Sequence, residues 1–384
     1  GGRLSEHVVT MTELMKAAGY RTHGIWSGPY LHPYFGLHQG FDVYESVMRL
    51  DGTAAGEPPE GKLSARDVVG PLHRQSYEER TSSEIVDGAV RAIDAAEDRP
   101  FFLFLHFFDV HYDYDPPEEF WRPFDPKYTG SFDASNWMSN PQVHAKMRES
   151  DLRHVVALYD GEIAYTDHHI GRLLEALDAR GLAENTVVVV TSDHGDEFFE
   201  HGRKGHRNSL FDEVLLVPWI VRWPGVVKKA AVIDAQARHV DLMPTVLEFV
   251  GLEAPYALQG DSFAPAMRGH ASPPSLPAVA RLMLASAEVG EWDALRLDRT
   301  KYVRMRNGAN VMERVFDIEK DPREQSPLEG ALAEQHKAMA RQRLDTLRDA
   351  EAKLRDVLNA GSLAQDGALP KEVEAELRQL GYLK

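Results

Sequence analysis

The chain has 384 residues, 43% of them hydrophobic and 27% charged; that is a globular composition with ample length for a large core, which excludes disorder as its main state. Its 43 Lys and Arg stand against 60 Asp and Glu, a formal charge of −17, so neither nucleic acid nor an anionic membrane surface is an expected partner. There is no Cys, which excludes disulfides, thiolate metal ligands and a Cys nucleophile within these residues and leaves the compartment open.

No apolar run approaches the ~20 residues of a membrane-spanning helix. The start, Gly1-Gly2-Arg3-Leu4-Ser5-Glu6, has neither an initiator Met nor a signal-peptide pattern. Residues 12–18 carry a short helical pattern stopped by Gly19, and 21–26 read as a strand. Gly28, Pro29 and Gly36 then punctuate a loop in which His32 and His38 are loop residues, and 51–62 is a Gly/Pro/acidic surface loop. Thr81 and Glu84 stand at capping-box spacing ahead of a helical face of Ile85, Val86, Ala89, Val90 and Ile93. After Pro100, the apolar run 101–108 reads as a buried strand of a parallel sheet.

Residues 113–141, rich in Pro, Asp, Trp and Tyr, form a long ordered insertion. Its Trp121 and Trp137 are either stacking surfaces for a ligand or local packing. A long helix is expected over 152–177, closed by Gly181, and a second buried strand over 187–192. Residues 214–223 are apolar again, interrupted by Pro218. This alternation predicts an α/β fold, a mostly parallel sheet sandwiched by helices. The tail differs: 279–284, 292–297, 302–305 and 311–318 read as a small antiparallel sheet, and 331–358 as a helix with Leu344, Leu347, Leu354 and Leu358 on one face. The expected division is a core over 1–275 and a C-terminal α+β subdomain over 276–384.

Three segments carry chemistry. Thr191-Ser192-Asp193-His194-Gly195-Asp196-Glu197 follows the Val-rich strand directly, and ligands of open α/β sheets bind at the C-terminal ends of strands. The carboxylate of Asp193 and the imidazole of His194 suit a divalent cation such as Zn²⁺ or Mn²⁺, or else form a solvated turn. Downstream, His201, Arg203, Lys204, His206 and Arg207 crowd into eight residues with two Gly. Fixed positive charge of this kind stabilises an oxyanion such as sulfate or phosphate; the alternative is a solvated loop. His111, in Asp109-Val110-His111-Tyr112-Asp113, also falls at a strand end. It is placed to hydrogen-bond a substrate oxygen or to act as a general acid, unless it is structural. A Gly-x-Gly-x-x-Gly turn after a strand and a Gly-x-Ser-x-Gly elbow are both absent, which argues against a Rossmann dinucleotide site and a Ser hydrolase.

In order along the chain stand Tyr159-Asp160-Gly161-Glu162-Ile163, Ile170-Gly171-Arg172-Leu173-Leu174, Thr191-Ser192-Asp193-His194-Gly195 and Phe211-Asp212-Glu213. Val217-Pro218, Trp223-Pro224-Gly225, Asp241-Leu242-Met243-Pro244-Thr245, Gly251-Leu252, Phe316-Asp317-Ile318, Asp321-Pro322 and the closing Leu380-Gly381-Tyr382-Leu383 follow. Together they make a sequence that resembles the sulfatase family of the alkaline phosphatase superfamily over nearly its whole length. The resemblance implies an alkaline phosphatase-like fold and metal-dependent hydrolysis of sulfate esters. It implies Asp193 as a metal ligand, with His194 where typical sulfatases carry Asn and phosphatase or phosphonate-ester relatives carry His. Lys204 or His206 takes the place of the cation that contacts the ester oxygens, with Arg207 beside them, and His111 matches a substrate-contacting His. The implied cofactor is Ca²⁺ by family, with Mn²⁺ or Zn²⁺ as the alternative that His194 raises.

Two departures matter. Gly24-Ile25-Trp26-Ser27 lacks the Lys of the family's Gly-Lys-Trp-His pattern. The family's opening strand with two acidic ligands, and its Cys/Ser-x-Pro-x-Arg nucleophile, find no match, because residues 1–20 resemble the segment that follows them. The expectation is a chain without its nucleophile-bearing amino-terminal segment and inactive as it stands. Its substrate is then a small-molecule or glycan sulfate ester. The competing readings are a phosphodiesterase or phosphonate monoester hydrolase of the same superfamily, and a non-catalytic binding protein.

Overall fold

The computed structural model describes residues 3–48, 69, 80–256, 258–271, 273, 275–283 and 290–359. The loop expected at 51–62, residue 284 and the closing 380–383 lie outside the described residues, as do the side chains of Leu354 and Leu358. The backbone divides into two compact units, Gly1–Ala183 and Glu184–Lys384.

The first unit opens with α1 (Met11–Ala17). The Thr10 hydroxyl accepts from Glu13 N, and the Glu13 carboxylate accepts from Thr10 N at 2.7 Å, a reciprocal cap of two otherwise orphaned donors. Gly19, at φ +91°, lets the chain turn into β1 (Arg21–Trp26), which has the expected bounds. β2 (Val43–Ser46) and β3 (Phe101–His106) flank it in the order β2-β1-β3, all parallel, with His23 opposite Val43 and Arg21 opposite Phe101. α2 (Ser82–Asp94) buries Ile85, Val86, Ala89 and Ile93, the face expected from the 3.6-residue period.

Two local expectations are corrected. Strand β3 stops at His106, and Phe104 is 38% exposed, so the 101–108 run is only partly buried. Nor does Thr81 form a capping box: its side chain caps no helix amide. The Thr81 hydroxyl instead donates to Asp109, whose carboxylate takes over the helix N-terminus from 28 residues away.

α3 (Glu118–Trp121) is a single turn within the expected insertion, and α4 (Glu149–Ala179) is the long helix. Trp137 is fully buried and meets Tyr114 at 5.8 Å, so it is local packing. Trp121 is covered by the Arg122 guanidinium at 4.0 Å and touched edge-on by His154 at 4.8 Å.

In the second unit, β4 (Val188–Thr191) leads to a two-stranded hairpin of β5 (Glu197–Phe198) and β6 (Lys204–Gly205). A single turn, α5 (Asp212–Leu215), precedes β7 (Trp219–Arg222). β7 returns antiparallel to β4, with Val190 opposite Ile220. The hairpin and α5 bring the chain back without the crossover helix that parallel pairing requires. α6 (Leu242–Val250) and α7 (Ala264–Met267) follow.

The tail is as expected: β8 (Ala278–Met283), β9 (Glu291–Leu297), β10 (Thr300–Asn307) and β11 (Asn310–Asp317) form an antiparallel sheet in the order β11-β10-β9-β8, followed by α8 (Gly330–Asn359). Strand period 2 sorts its side chains. Trp292, Ala294, Val303 and Phe316 pack with Leu210 and Phe211 on one face. Leu295, Tyr302 and Val315 pack with Ala340 and Leu344 on the other.

Candidate active site

Strand β4 ends at Thr191 and delivers the chain into a tight turn. The Ser192 hydroxyl donates to His194 O at 2.8 Å, and His194 N donates to Asp193 Oδ1 at 3.0 Å. His239 Nε2 donates to Ser192 O at 2.9 Å and pins the turn from outside. Gly195 is required here: a Cβ would lie 2.3 Å from Glu213 O, and Gly195 N donates to Val214 O at 2.9 Å. Only a residue without a side chain permits that approach of two backbones.

His194 Nδ1 stands 3.1 Å from Gly195 O. A carbonyl only accepts, so Nδ1 is protonated and donates, and a neutral ring then keeps its lone pair on Nε2. That Nε2 lies 3.6 Å from Asp193 Oδ2, on a side chain that is 80% exposed. Behind it, His206 Nδ1 meets Asp196 Oδ1 at 2.7 Å, with both side chains buried. The His194 and His206 rings stand 4.0 Å apart, tilted by 32°. One ligand atom from each of His194, Asp196 and His206 falls within 4.8 Å of the others. Two imidazoles and a carboxylate converging in a partly buried corner form a donor set that fits a divalent cation.

The hairpin explains why His206 reaches this place. Glu197 pairs with Gly205 and Phe198 with Lys204, so β6 carries its following residue back over the 194–196 turn. The five basic side chains of 201–207 divide. His201 stacks on Phe211 at 3.6 Å and lies 3.5 Å from Glu213. Arg203 donates to Asn208 O at 2.8 Å and lies over Trp292 at 5.4 Å, so both belong to the packing. Lys204 is half-buried, and that burial lowers its pKa. Arg207 is exposed, at φ +67°. Glu197, on β5 itself, is buried, its carboxyl pushed up to about 7 chiefly by that burial, while the Ser209 hydroxyl donates to it at 2.9 Å.

His111 belongs to the first unit. Its Nδ1 donates to Tyr112 O at 2.6 Å, and its ring stacks on Phe108 at 4.4 Å. His32 accepts from Tyr34 N at 3.1 Å within its own loop.

Sequence reasoning passed over Asp196 and His239. Asp196 stood two residues beyond the chosen pair and looked like a continuation of the turn. His239 precedes the Asp241 motif, and only the tertiary fold brings it to Ser192. Asp241 itself is buried with Arg238 at 2.7 Å and accepts from Asp261 N at 2.8 Å, a structural role.

A family model described as Sulfatase matches residues 2–252, and one described as N-sulphoglucosamine sulphohydrolase, C-terminal, matches 200–351. The delta 4,5-hexuronate-2-O-sulfatase of Bacteroides thetaiotaomicron is 27% identical over 229 residues, 53% of this chain and 45% of that protein. The ulvan-active sulfatase of Formosa agariphila is 28% identical over 243 residues, 62% of this chain and 45% of that protein. The chain thus spans less than half the length of these curated relatives. A protein solved in complex with its substrate D-glucosamine-2-N,6-O-disulfate superposes with TM-score 0.67 at 19% identity, covering 92% of this chain and 84% of that one. The phosphonate monoester hydrolase of Agrobacterium radiobacter gives 0.64 at 18%, covering 95% and 82%. With an α/β fold shared with these structures and a family match over well over half its length, the chain belongs to the sulfatase family, within the alkaline phosphatase superfamily.

Proposed function

We propose that the whole protein hydrolyses sulfate esters with the help of a divalent cation, on a small-molecule or glycan substrate. Membership of the sulfatase family supports the reaction class. The observation that carries the reading is the His194–Asp196–His206 cluster at the end of β4. In this proposal Asp193 and His194, backed by Asp196, hold the cation, which supplies Lewis-acid polarisation of the ester oxygens when bound. Lys204 donates hydrogen bonds to charge growing on the ester; His206, its Nδ1 held by Asp196, either completes the cation's donor set or, as an imidazolium, donates from Nε2 to the ester; and Arg207 adds an exposed cation that draws the anion in. His111, with its Nδ1 proton committed to Tyr112 O, meets substrate through Nε2. The division into a core over 1–275 and a subdomain over 276–384 is part of the same proposal: the antiparallel sheet β8–β11 supports it, while the packing of Leu210 and Phe211 on that sheet and the compact unit 184–384 run across the boundary.

The test is release of inorganic sulfate from 4-nitrophenyl sulfate by the whole protein, before and after chelation. His206→Ala is expected to lower kcat by about 10²–10⁴-fold. Turnover of phosphate or phosphonate esters with no sulfate release would overturn the reading.

That outcome would favour the second reading, a phosphodiesterase or phosphonate monoester hydrolase. His194 motivates it, since imidazole donors favour Mn²⁺ or Zn²⁺ over Ca²⁺, and a phosphonate monoester hydrolase shares the fold. Metal analysis of the purified protein checks the cation, and calcium alone would count against the second reading.

A further inference from the structure

The Tyr159-Asp160-Gly161-Glu162 motif of α4 faces the loop that carries His111, and the structure shows why. At its start this loop is held by Asp109, which is buried. Its Oδ1 accepts from Thr81 N and Thr81 Oγ1, both at 2.8 Å, and its Oδ2 from Ser82 N at 2.7 Å and Ser82 Oγ at 2.5 Å. At its end, Asp115 N donates to Glu162 Oε1 at 2.9 Å. Glu162 is 2% exposed, and its Oε2 is buried without a hydrogen-bond partner among the described residues. Around this contact the loop is seated closely on the helix. A Cβ on Gly161 would lie 2.8 Å from both Pro116 Cγ and Trp121 Cβ, and buried Tyr114 meets Tyr159 edge-on at 5.4 Å.

We propose that Glu162 is a positioning residue for His111: together with Asp109 it clamps the 109–115 loop at both ends and so fixes where the imidazole stands. The proposal rests on the reading of His111 as a substrate contact. A buried carboxyl whose second oxygen has no donor among the described residues is better neutral than charged. Burial accordingly pushes Glu162 up to about 8; the Asp109 and Asp115 charges push the same way, while the Asp115 N–H bond and Arg80 oppose them. Arg80 reaches Asp115 only at 3.9 Å. Tyr165, whose pKa is raised by its own burial and then by Asp109 and Glu162, also faces this corner, and His169, lowered chiefly by burial, lies within reach of the Asp109 charge. Deprotonation of Glu162 therefore puts an uncompensated charge beneath the loop and loosens one end of the clamp.

Amide hydrogen exchange of the 109–117 segment and kcat/KM are measured together, from pH 6 to 9.5, on wild type, Glu162→Gln and Glu162→Ala. Gln keeps the acceptor for Asp115 N and cannot ionise. The expected result is faster exchange confined to 109–117 in Glu162→Ala, with kcat/KM down by about 10–100-fold, the scale of an ångström-level misplacement. Glu162→Gln is expected to rescue both. Wild type should lose protection and activity above about pH 8, after correction for intrinsic exchange rates, and Glu162→Gln should not. Wild-type exchange at 109–117 in Glu162→Ala would overturn the clamp, as would faster exchange spread evenly over the 3–183 unit. His111→Ala separates the premises: if it turns over like wild type while the exchange pattern holds, the reading of His111 fails and the clamp stands.

Discussion

Two sets of carboxyl groups, in different regions of this protein, treat charge in opposite ways. In the C-terminal sheet they are matched by cations. Asp293, 1% exposed, lies 3.0 Å from Arg304, 2.7 Å from Arg348 and 3.1 Å from Arg281. Burial pushes its carboxyl up, but the bonds from Arg304, Arg348 and Arg281 outweigh that and hold it below the usual range. Glu313, bonded by Arg341 and then by the Tyr302 hydroxyl, is drawn down to about 2. Beside the candidate catalytic elements the pattern reverses: Glu162 and Glu197, buried as deeply as Asp293, have no cation in hydrogen-bond contact among the described residues, and burial pushes them up to about 8 and about 7. A matched carboxylate is a fixed part of a scaffold. An unmatched one is a proton store, and such groups concentrate where chemistry is done.

The largest expected effect tests the matched region. Asp293→Ala leaves three guanidinium groups without their shared anion and should cost about 3–5 kcal/mol, read from urea denaturation. A loss under about 1 kcal/mol would erase the distinction between the regions. Next comes the metal corner. Mn²⁺ or Zn²⁺ at a hundredfold excess over its dissociation constant should stabilise the fold by about 2.7 kcal/mol. The gain, followed by thermal melting with and without chelator, should vanish in His194→Ala.

The next comparison contrasts the signs of pH dependence. Glu162 has a folded pKa raised from 4.5 to about 8. Its contribution is complete below the unfolded value and is lost as pH rises towards 8, so wild type should melt progressively lower than Glu162→Gln across that window. Glu313 is depressed from 4.5 to about 2. Its contribution is present above 4.5 and lost as pH falls to 2, so wild type should lose its advantage over Glu313→Gln in that window. Parallel slopes in the two comparisons would contradict the division. The smallest effect is a control on the surface: Arg299 and Glu319 pair at 2.8 Å with both side chains well exposed, and Arg299→Ala should change stability by less than about 0.5 kcal/mol.

What the sequence made legible follows the range of the forces involved. Strand β1 was readable to the residue because its pattern and Gly19 are local signals. The four tail strands and the long helices α4 and α8 came within a few residues for the same reason. The cap of α2 was misread, because a carboxylate 28 positions away competes better for Thr81 than Glu84 does. Asp193 and His194 were singled out from their place after a strand, and of the two only His194 joins the cluster with Asp196 and His206. Asp196 was not singled out, since its partner His206 arrives only once β5 and β6 have paired. The even-looking basic run 201–207 concealed a division that only packing reveals, with His201 on Phe211 and Arg203 on Trp292.

The contact between Gly195 and the 213–214 backbone has a practical corollary for mutagenesis. Asp212, the next residue upstream, takes an ammonium bond from Lys301 at 2.7 Å and a guanidinium bond from Arg296 at 3.0 Å, and its own amide donates to Glu324 at 2.6 Å. The histidine-bearing turn is therefore moored, two links away, to the distal sheet. A saturation screen scored for turnover should flag Lys301 and Glu324 as strongly as residues that handle substrate, and only a folding assay run alongside would tell the mooring from the machinery.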